Sequence, residues 1–313
     1  AKTHEVFPVS ARAIADISHP QKADLLDHLN VWEQVLRNAN AIFKAVPSND
    51  LPVSRAGEWM LDNFYVVKQT FHQIEEDLPD SFLKQLPKLC GTPLQGHPRI
   101  FALIWEWLGY SQSQLDLTQA ATFVQDYQQV MPLTIGELWA LPIMLRIGIL
   151  ERLVYATAEL TGIEVPKGLS EIPSQFASVP LANETVVANC FLSLRLLSTT
   201  DWEAFFEQTS RVEQILRDDP AQVYTRMDFD TRNSYRNVVE ELARYSTFSE
   251  EEVALAAVEL ARRAGDKISG RQGHIGFYLR DAGRQTLETS IRYQPGLSLR
   301  IRRTLLATPT LTY

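Results

Sequence analysis

A chain of 313 residues buries roughly 75% of the surface its unfolded form exposes, so it can hold a core without disulfides or a structural metal. Apolar residues at 45% are ordinary for a globular protein, and only 14 glycines argue against a turn-dense all-β fold. A formal net charge of −8 excludes nucleic acid as the partner read from composition. Cys90 and Cys190 form no C-x-x-C pair, and the 6 histidines form no H-E-x-x-H or other metal spacing. Ala1 to Pro20 lacks the apolar core of a signal peptide, and no apolar run approaches the ~20 residues that cross a bilayer. Taken alone, these features predict a soluble, cytosolic chain.

The first strong pattern is Leu25, Leu29, Trp32, Leu36, Ala39 and Phe43, which advance in steps of three and four. Met60, Phe64, Val67, Phe71, Ile74 and Leu78 do the same. Each set paints one apolar stripe on a helix, and the Pro47–Pro52 turn between them predicts a helical hairpin. A proline-punctuated stretch follows, then short helices near Arg99–Gly109 and Thr118–Val130. Thr134 with Glu137 is a capping-box pattern that opens a very apolar helix running to about Leu160, with Pro142 expected to kink it or to mark its true start.

Ile163–Ala182 carries Pro166, Pro173 and Pro180 and reads as a linker. Beyond it, Asn183 is expected to cap a helix through Leu197. Thr200 with Glu203 and Ser249 with Glu252 are two more capping boxes, Asp228 caps a further helix, and a last helix is predicted over His274–Ile291. Strand-like alternation is nearly absent. The expected fold is therefore all-α, an array of antiparallel helical hairpins in two lobes. Residues 1–162 form the first lobe, 163–182 the linker, 183–291 the second lobe, and 292–313 a basic end segment.

The search for chemistry returns no P-loop, G-x-G-x-x-G or G-x-S-x-G, and no catalytic residue is assigned. The one D-x-D, Asp228-Phe229-Asp230, opens a predicted helix, where carboxylates satisfy free N–H groups and the dipole. Glu58 and Asp62 share a helix face with Trp59 and Asn63. They are candidate sugar or partner contacts, although two acids on one face stand too close to flank a sugar bond from opposite sides. Arg195 is expected to pair with Asp201 (or Glu203) and to fix the turn there. His274, near Tyr278 and Arg284, reads as structural or solvated rather than catalytic.

These segments carry a family likeness. AGEWMLDNFYVVKQTFHQIEEDLP (Ala56 to Pro79), LPKLCGTPLQGHPRIFAL (Leu86 to Leu103), MPLTIGELWALPIMLRIGILERL (Met131 to Leu153) and most of Ala182 to Arg244 resemble, in the same order, the N-terminal region of the bacterial cyclic β-1,2-glucan synthases. HIGFYLRDAGRQTLE (His274 to Glu288) is similar to the segment that precedes the membrane helices in that family. The resemblance implies a larger inner-membrane parent. That parent takes glucose from UDP-glucose with a divalent metal, builds a protein-linked β-1,2-glucan and cyclises it. Neither the transferase motifs nor the C-terminal phosphorylase-like domain that the resemblance also implies for the parent are here, so no family catalytic residue maps onto this chain and no cofactor is expected for it.

The implied role is a non-catalytic scaffold or regulatory region on the cytoplasmic side of the inner membrane, packed on the transferase and membrane parts of the same polypeptide. The alternative is a helical module that binds nascent glucan. Arg292, Arg300, Arg302 and Arg303 follow the last acid, Glu288, and read as membrane-flanking residues for anionic inner-leaflet lipid.

Overall fold

The computed structural model describes residues 27–45, 51–90, 95–165, 181–265 and 270–294. The linker core and Arg300, Arg302 and Arg303 lie outside them. Among the described residues every named element is helical, and β structure is confined to one isolated antiparallel bridge between Lys88 and Pro98. The all-α expectation holds.

The chain divides into two compact units at Trp202/Glu203. The first contains α1 (Asp27–Ala45), α2 (Leu51–Asp77), α3 (Asp80–Leu83), α4 (Arg99–Tyr110), α5 (Leu117–Val130), α6 (Ile135–Thr161) and α7 (Asn183–Thr199). α6 is its axis. It packs against α1, α2, α4 and α7, as its near-continuous apolar sequence requires: a helix without a polar face must be covered on all sides. The stripes read from the sequence face this core, with Trp32, Leu36, Ala39, Met60, Val67 and Ile74 buried.

Both ends of α6 are capped. Thr134 Oγ1 accepts from Glu137 N at 3.2 Å, and Glu137 Oε2 accepts from Thr134 N at 2.9 Å. The same carboxylate is fully buried and takes a second partner, Arg99 at the start of α4, whose Nε donates to Glu137 Oε1 at 2.8 Å. The cap of one helix thus anchors another. Gly162 closes α6 with φ +70, the left-handed conformation glycine adopts without a Cβ clash. Pro142 neither starts nor ends the helix. The helix begins at Ile135 and runs through the proline, because packing on four neighbours outweighs the lost backbone bond.

Four expectations are corrected. Residues 183–199 belong to the first unit, not to the second lobe: α7 lays Val187, Phe191 and Leu194 onto α2 and α6, and burying that face decides its allegiance. Asn183 is the first helical residue, not the cap; Ala182 occupies that position, and Asn183 Nδ2 donates to Glu159 Oε2 at 2.6 Å. Thr200 does not cap forward. Its hydroxyl donates back to Leu196 O at 2.7 Å, a competing local bond open to any Ser or Thr near a helix end. The predicted last helix is broken into α12 (Ile275–Arg280) and α13 (Arg284–Ser290). At the break, a Cβ on Gly283 would stand 2.5 Å from Phe277 Cδ1, so the chain folds back on that ring only because the residue is glycine.

The second unit holds α8 (Trp202–Thr209), α9 (Arg211–Arg217), α10 (Phe229–Arg244), α11 (Glu250–Gly265), α12 and α13. α11 packs on α9, α10 and α12 through a small-residue face that includes Val253, Ala254, Ala257 and Ala261. Its capping box forms as the sequence predicts, Ser249 N donating to Glu252 Oε2 at 2.7 Å and Glu252 N to Ser249 Oγ at 3.2 Å.

Candidate functional site

The four residues proposed as contacts lie on α2, where it meets α7, and they do not act alike. Glu58 and Asp62 are exposed on the helix surface. Trp59 is half-buried and stacks on Phe191 of α7, with ring centroids 6.4 Å apart and planes 12° from parallel. Asn63 is buried; its Nδ2 donates to Trp59 O at 2.9 Å, and its Oδ1 accepts from the Arg195 guanidinium. Arg195 thus meets Asn63, 132 residues away in sequence, where the sequence suggested Asp201 or Glu203 in the turn after the same helix. Trp59 and Asn63 are committed to the α2–α7 joint. The two acids sit beside it on a single helix.

All six tryptophans are at least half-buried: Trp32, Trp105 and Trp107 in the core, Trp59, Trp139 and Trp202 at its margin. Trp202 donates its indole N–H to Leu197 O at 3.2 Å. None lies open as a sugar platform. Asp228 caps α10 as read from the sequence, accepting from Thr231 N at 2.7 Å and from Thr231 Oγ1 at 2.9 Å. Among the described residues no group of three His, Cys, Asp or Glu comes together.

The second unit brings together polar residues that the sequence left scattered. Glu213 on α9 is buried and accepts from Arg236 Nη1 at 2.7 Å, Arg217 Nε at 2.9 Å and Tyr224 Oη at 2.6 Å. The Arg236 guanidinium is itself buried between the rings of Phe206 and Phe229, 5.0 and 4.6 Å from their centroids. Burial pushes the Glu213 carboxyl up, but the hydrogen bonds from Tyr224, Arg217 and Arg236 outweigh it and hold the group below the usual range.

A second carboxylate, Asp219, is also buried. It accepts from His274 Nδ1 at 2.8 Å, Ile275 N at 3.0 Å, Val223 N at 2.9 Å and Tyr224 N at 3.2 Å. A carboxylate can only accept, so the imidazole places its hydrogen on Nδ1. Its other nitrogen, Nε2, lies 3.4 Å from Tyr235 Oη. The resulting Asp–His–Tyr row has the order of an oriented general base. A Cβ on Gly276 would sit 2.5 Å from Nε2 and 2.6 Å from Tyr235 Oη, so only glycine lets the start of α12 pass this close to the row. The row ties the loop after α9 to the start of α12. The partners of His274, Asp219 and Tyr235, were not legible in the sequence.

Of the membrane-flanking candidates, Arg292 lies among the described residues and is exposed. Among the described residues no helix is long and apolar enough to cross a membrane.

No family model matches the chain. It is, however, similar to part of a cyclic glucan synthase. Cyclic beta-(1,2)-glucan synthase NdvB of Rhizobium meliloti (strain 1021) is 27% identical over 317 residues, covering 78% of this chain and 11% of that protein. The resemblance read from the quoted strings is thus found by comparison, and it concerns a small fraction of a much longer relative. The site geometry agrees with the division of residues above: the seam α2–α7 is a helix joint, and the polar centres of the second unit are internal.

Proposed function

We propose that this chain is a non-catalytic helical region of a cyclic β-1,2-glucan synthase, a scaffold that packs on the transferase and membrane parts of the same polypeptide. The observation that carries the reading is the commitment of Trp59 and Asn63 to the α2–α7 joint, which turns the aromatic-plus-acid cluster of α2 to packing. The tight capping of Asp228 supports it too, since that carboxylate serves α10 rather than a nucleotide-sugar metal. On this reading UDP-glucose and the divalent metal of the resembling family are used elsewhere in the parent. The chain sits on the cytoplasmic side of the inner membrane, with Arg292, Arg300, Arg302 and Arg303 toward anionic lipid.

Calorimetric titration of the purified chain with linear and cyclic β-1,2-glucan tests this against the glucan-binding alternative. No saturable heat is expected, and no label should be incorporated from UDP-glucose. Saturable binding lost in Trp59→Ala but kept in Trp202→Ala would replace the scaffold with a carbohydrate-binding module. For the lipid side, vesicles containing anionic lipid should retain the chain better than neutral ones, and the preference should disappear when the four arginines are neutralised.

A further inference from the structure

Glu151 lies within α6, the axis of the first unit, and is 1% exposed. Three residues earlier, on the same face, Gly148 lets α4 close in: a Cβ there would stand 2.7 Å from Leu108 Cδ1 and 3.9 Å from Ile104 Cγ2. The carboxyl is thereby sealed against α4 instead of reaching past it to water. Neither Oε1 nor Oε2 accepts a well-formed hydrogen bond from the protein. A charge held in such a place is strongly disfavoured.

The surrounding charges do not cancel this cost. Arg152, the next residue, attracts the carboxylate, but burial of Glu151 outweighs that pull, and Arg152 is shared with Glu106 of α4. Cys190 of α7 is a neutral thiol, its pKa pushed up by burial. The group α4 turns to Glu151 is the neutral Trp105 indole. On α2, Asp77 acts on Arg146, more than one turn away along α6, and Arg146 Nε donates to Gln73 Oε1 at 3.2 Å. On α1, Glu33 and Arg37 pair with each other at the surface.

We propose that Glu151 makes the first unit pH-responsive: protonated, it packs as a neutral side chain between α4 and α6, and ionised, it loosens the α4–α6–α7 joint. Burial lifts its pKa to about 7, and the opposing pulls of Arg152 and Trp105 are smaller. Because the folded value is raised above the ordinary 4.5, the folded state holds this proton more tightly between the two values. Stability of the first unit falls as pH rises through that window and levels off above it. The joint also carries Asn189 and Ser193, which hold the turn between α4 and α5, so loosening extends to that turn.

The test compares the full chain with Glu151→Gln, which keeps the shape and removes the titration. The melting midpoint of the wild type should drop relative to Glu151→Gln as pH rises from about 5 to about 8, and the gap should then stay constant. Parallel curves for the two proteins overturn the proposal. If Glu151→Gln fails to fold, the wild type alone decides. Amide exchange in residues 99–110 and 135–161, corrected for its intrinsic pH dependence, should speed up about tenfold between about pH 6 and about pH 8. Corrected exchange that is flat across that interval overturns it equally.

Discussion

Ser193 on α7 grips the turn between α4 and α5 at both ends of its hydroxyl: Oγ donates to Ser113 O at 2.8 Å and accepts from Leu115 N at 2.9 Å. Asn189, one turn earlier, donates to Gln112 O at 3.1 Å. Gln112 and Ser113 have φ of 55 and 62, a left-handed conformation costly for residues with a Cβ. The α7 side chains satisfy the buried backbone groups that this turn leaves over. Ser193→Ala should leave one donor and one acceptor unpaired and cost about 1–3 kcal/mol. Urea unfolding checks this, with the exposed Ser198→Ala as the control that should barely move.

Glu213→Gln removes the charge that pairs with the buried Arg236 while keeping the shape of the side chain. Breaking one member of a buried ion pair typically costs about 3–5 kcal/mol, because the partner charge stays buried and unpaired. The loss should appear in the second unit, read as faster amide exchange in residues 211–217 and 229–244.

Acid should open the two units in a fixed order. Asp219 resembles Glu213: burial raises its pKa, but His274 and the N–H groups of Ile275 and Tyr224 overcome this and hold it below the usual range. Carboxylates with depressed folded pKa values contribute stability that is present above the unfolded value, about 4, and lost as pH falls through the folded value. Glu151 has the opposite sign and favours the folded first unit in acid. Below about pH 4, exchange in residues 211–280 should therefore rise before exchange in residues 135–161. The reverse order would contradict both assignments.

Gly276→Ala tests how closely α12 packs on the Asp219–His274–Tyr235 row. The new methyl would overlap His274 Nε2 and Tyr235 Oη, and forcing it in should cost about 1–3 kcal/mol. Circular-dichroism melting should report the loss. The imidazole resonances of His274 should shift in the same variant.

On α2 the candidate contacts should separate by role. Trp59→Ala removes the ring stacked on Phe191 and should destabilise the first unit by about 1–3 kcal/mol, less than a fully buried tryptophan would. Glu58→Gln and Asp62→Asn, both exposed, should leave the melting midpoint within error.

The sequence by itself determined the helices, because helix formation is local. A stripe such as Met60, Val67 and Ile74, or a capping box such as Thr134 with Glu137, needs only residues three or four apart, and both appear as read. It also carried enough specific strings to show the likeness to a glucan synthase. Tertiary structure decided which helices share a unit and which polar groups meet. Whether α7 joins the helices before or after it depends on which apolar face buries it, and nothing within residues 183–199 states that. Arg195 finds Asn63 across 132 positions, and His274 finds Asp219 across 55. Such partners are chosen by packing: once a helix is docked, its polar side chains pair with whatever groups the neighbouring element presents. The same reason hides Glu151, an acid in an apolar run whose isolation exists only after α4 closes over Gly148.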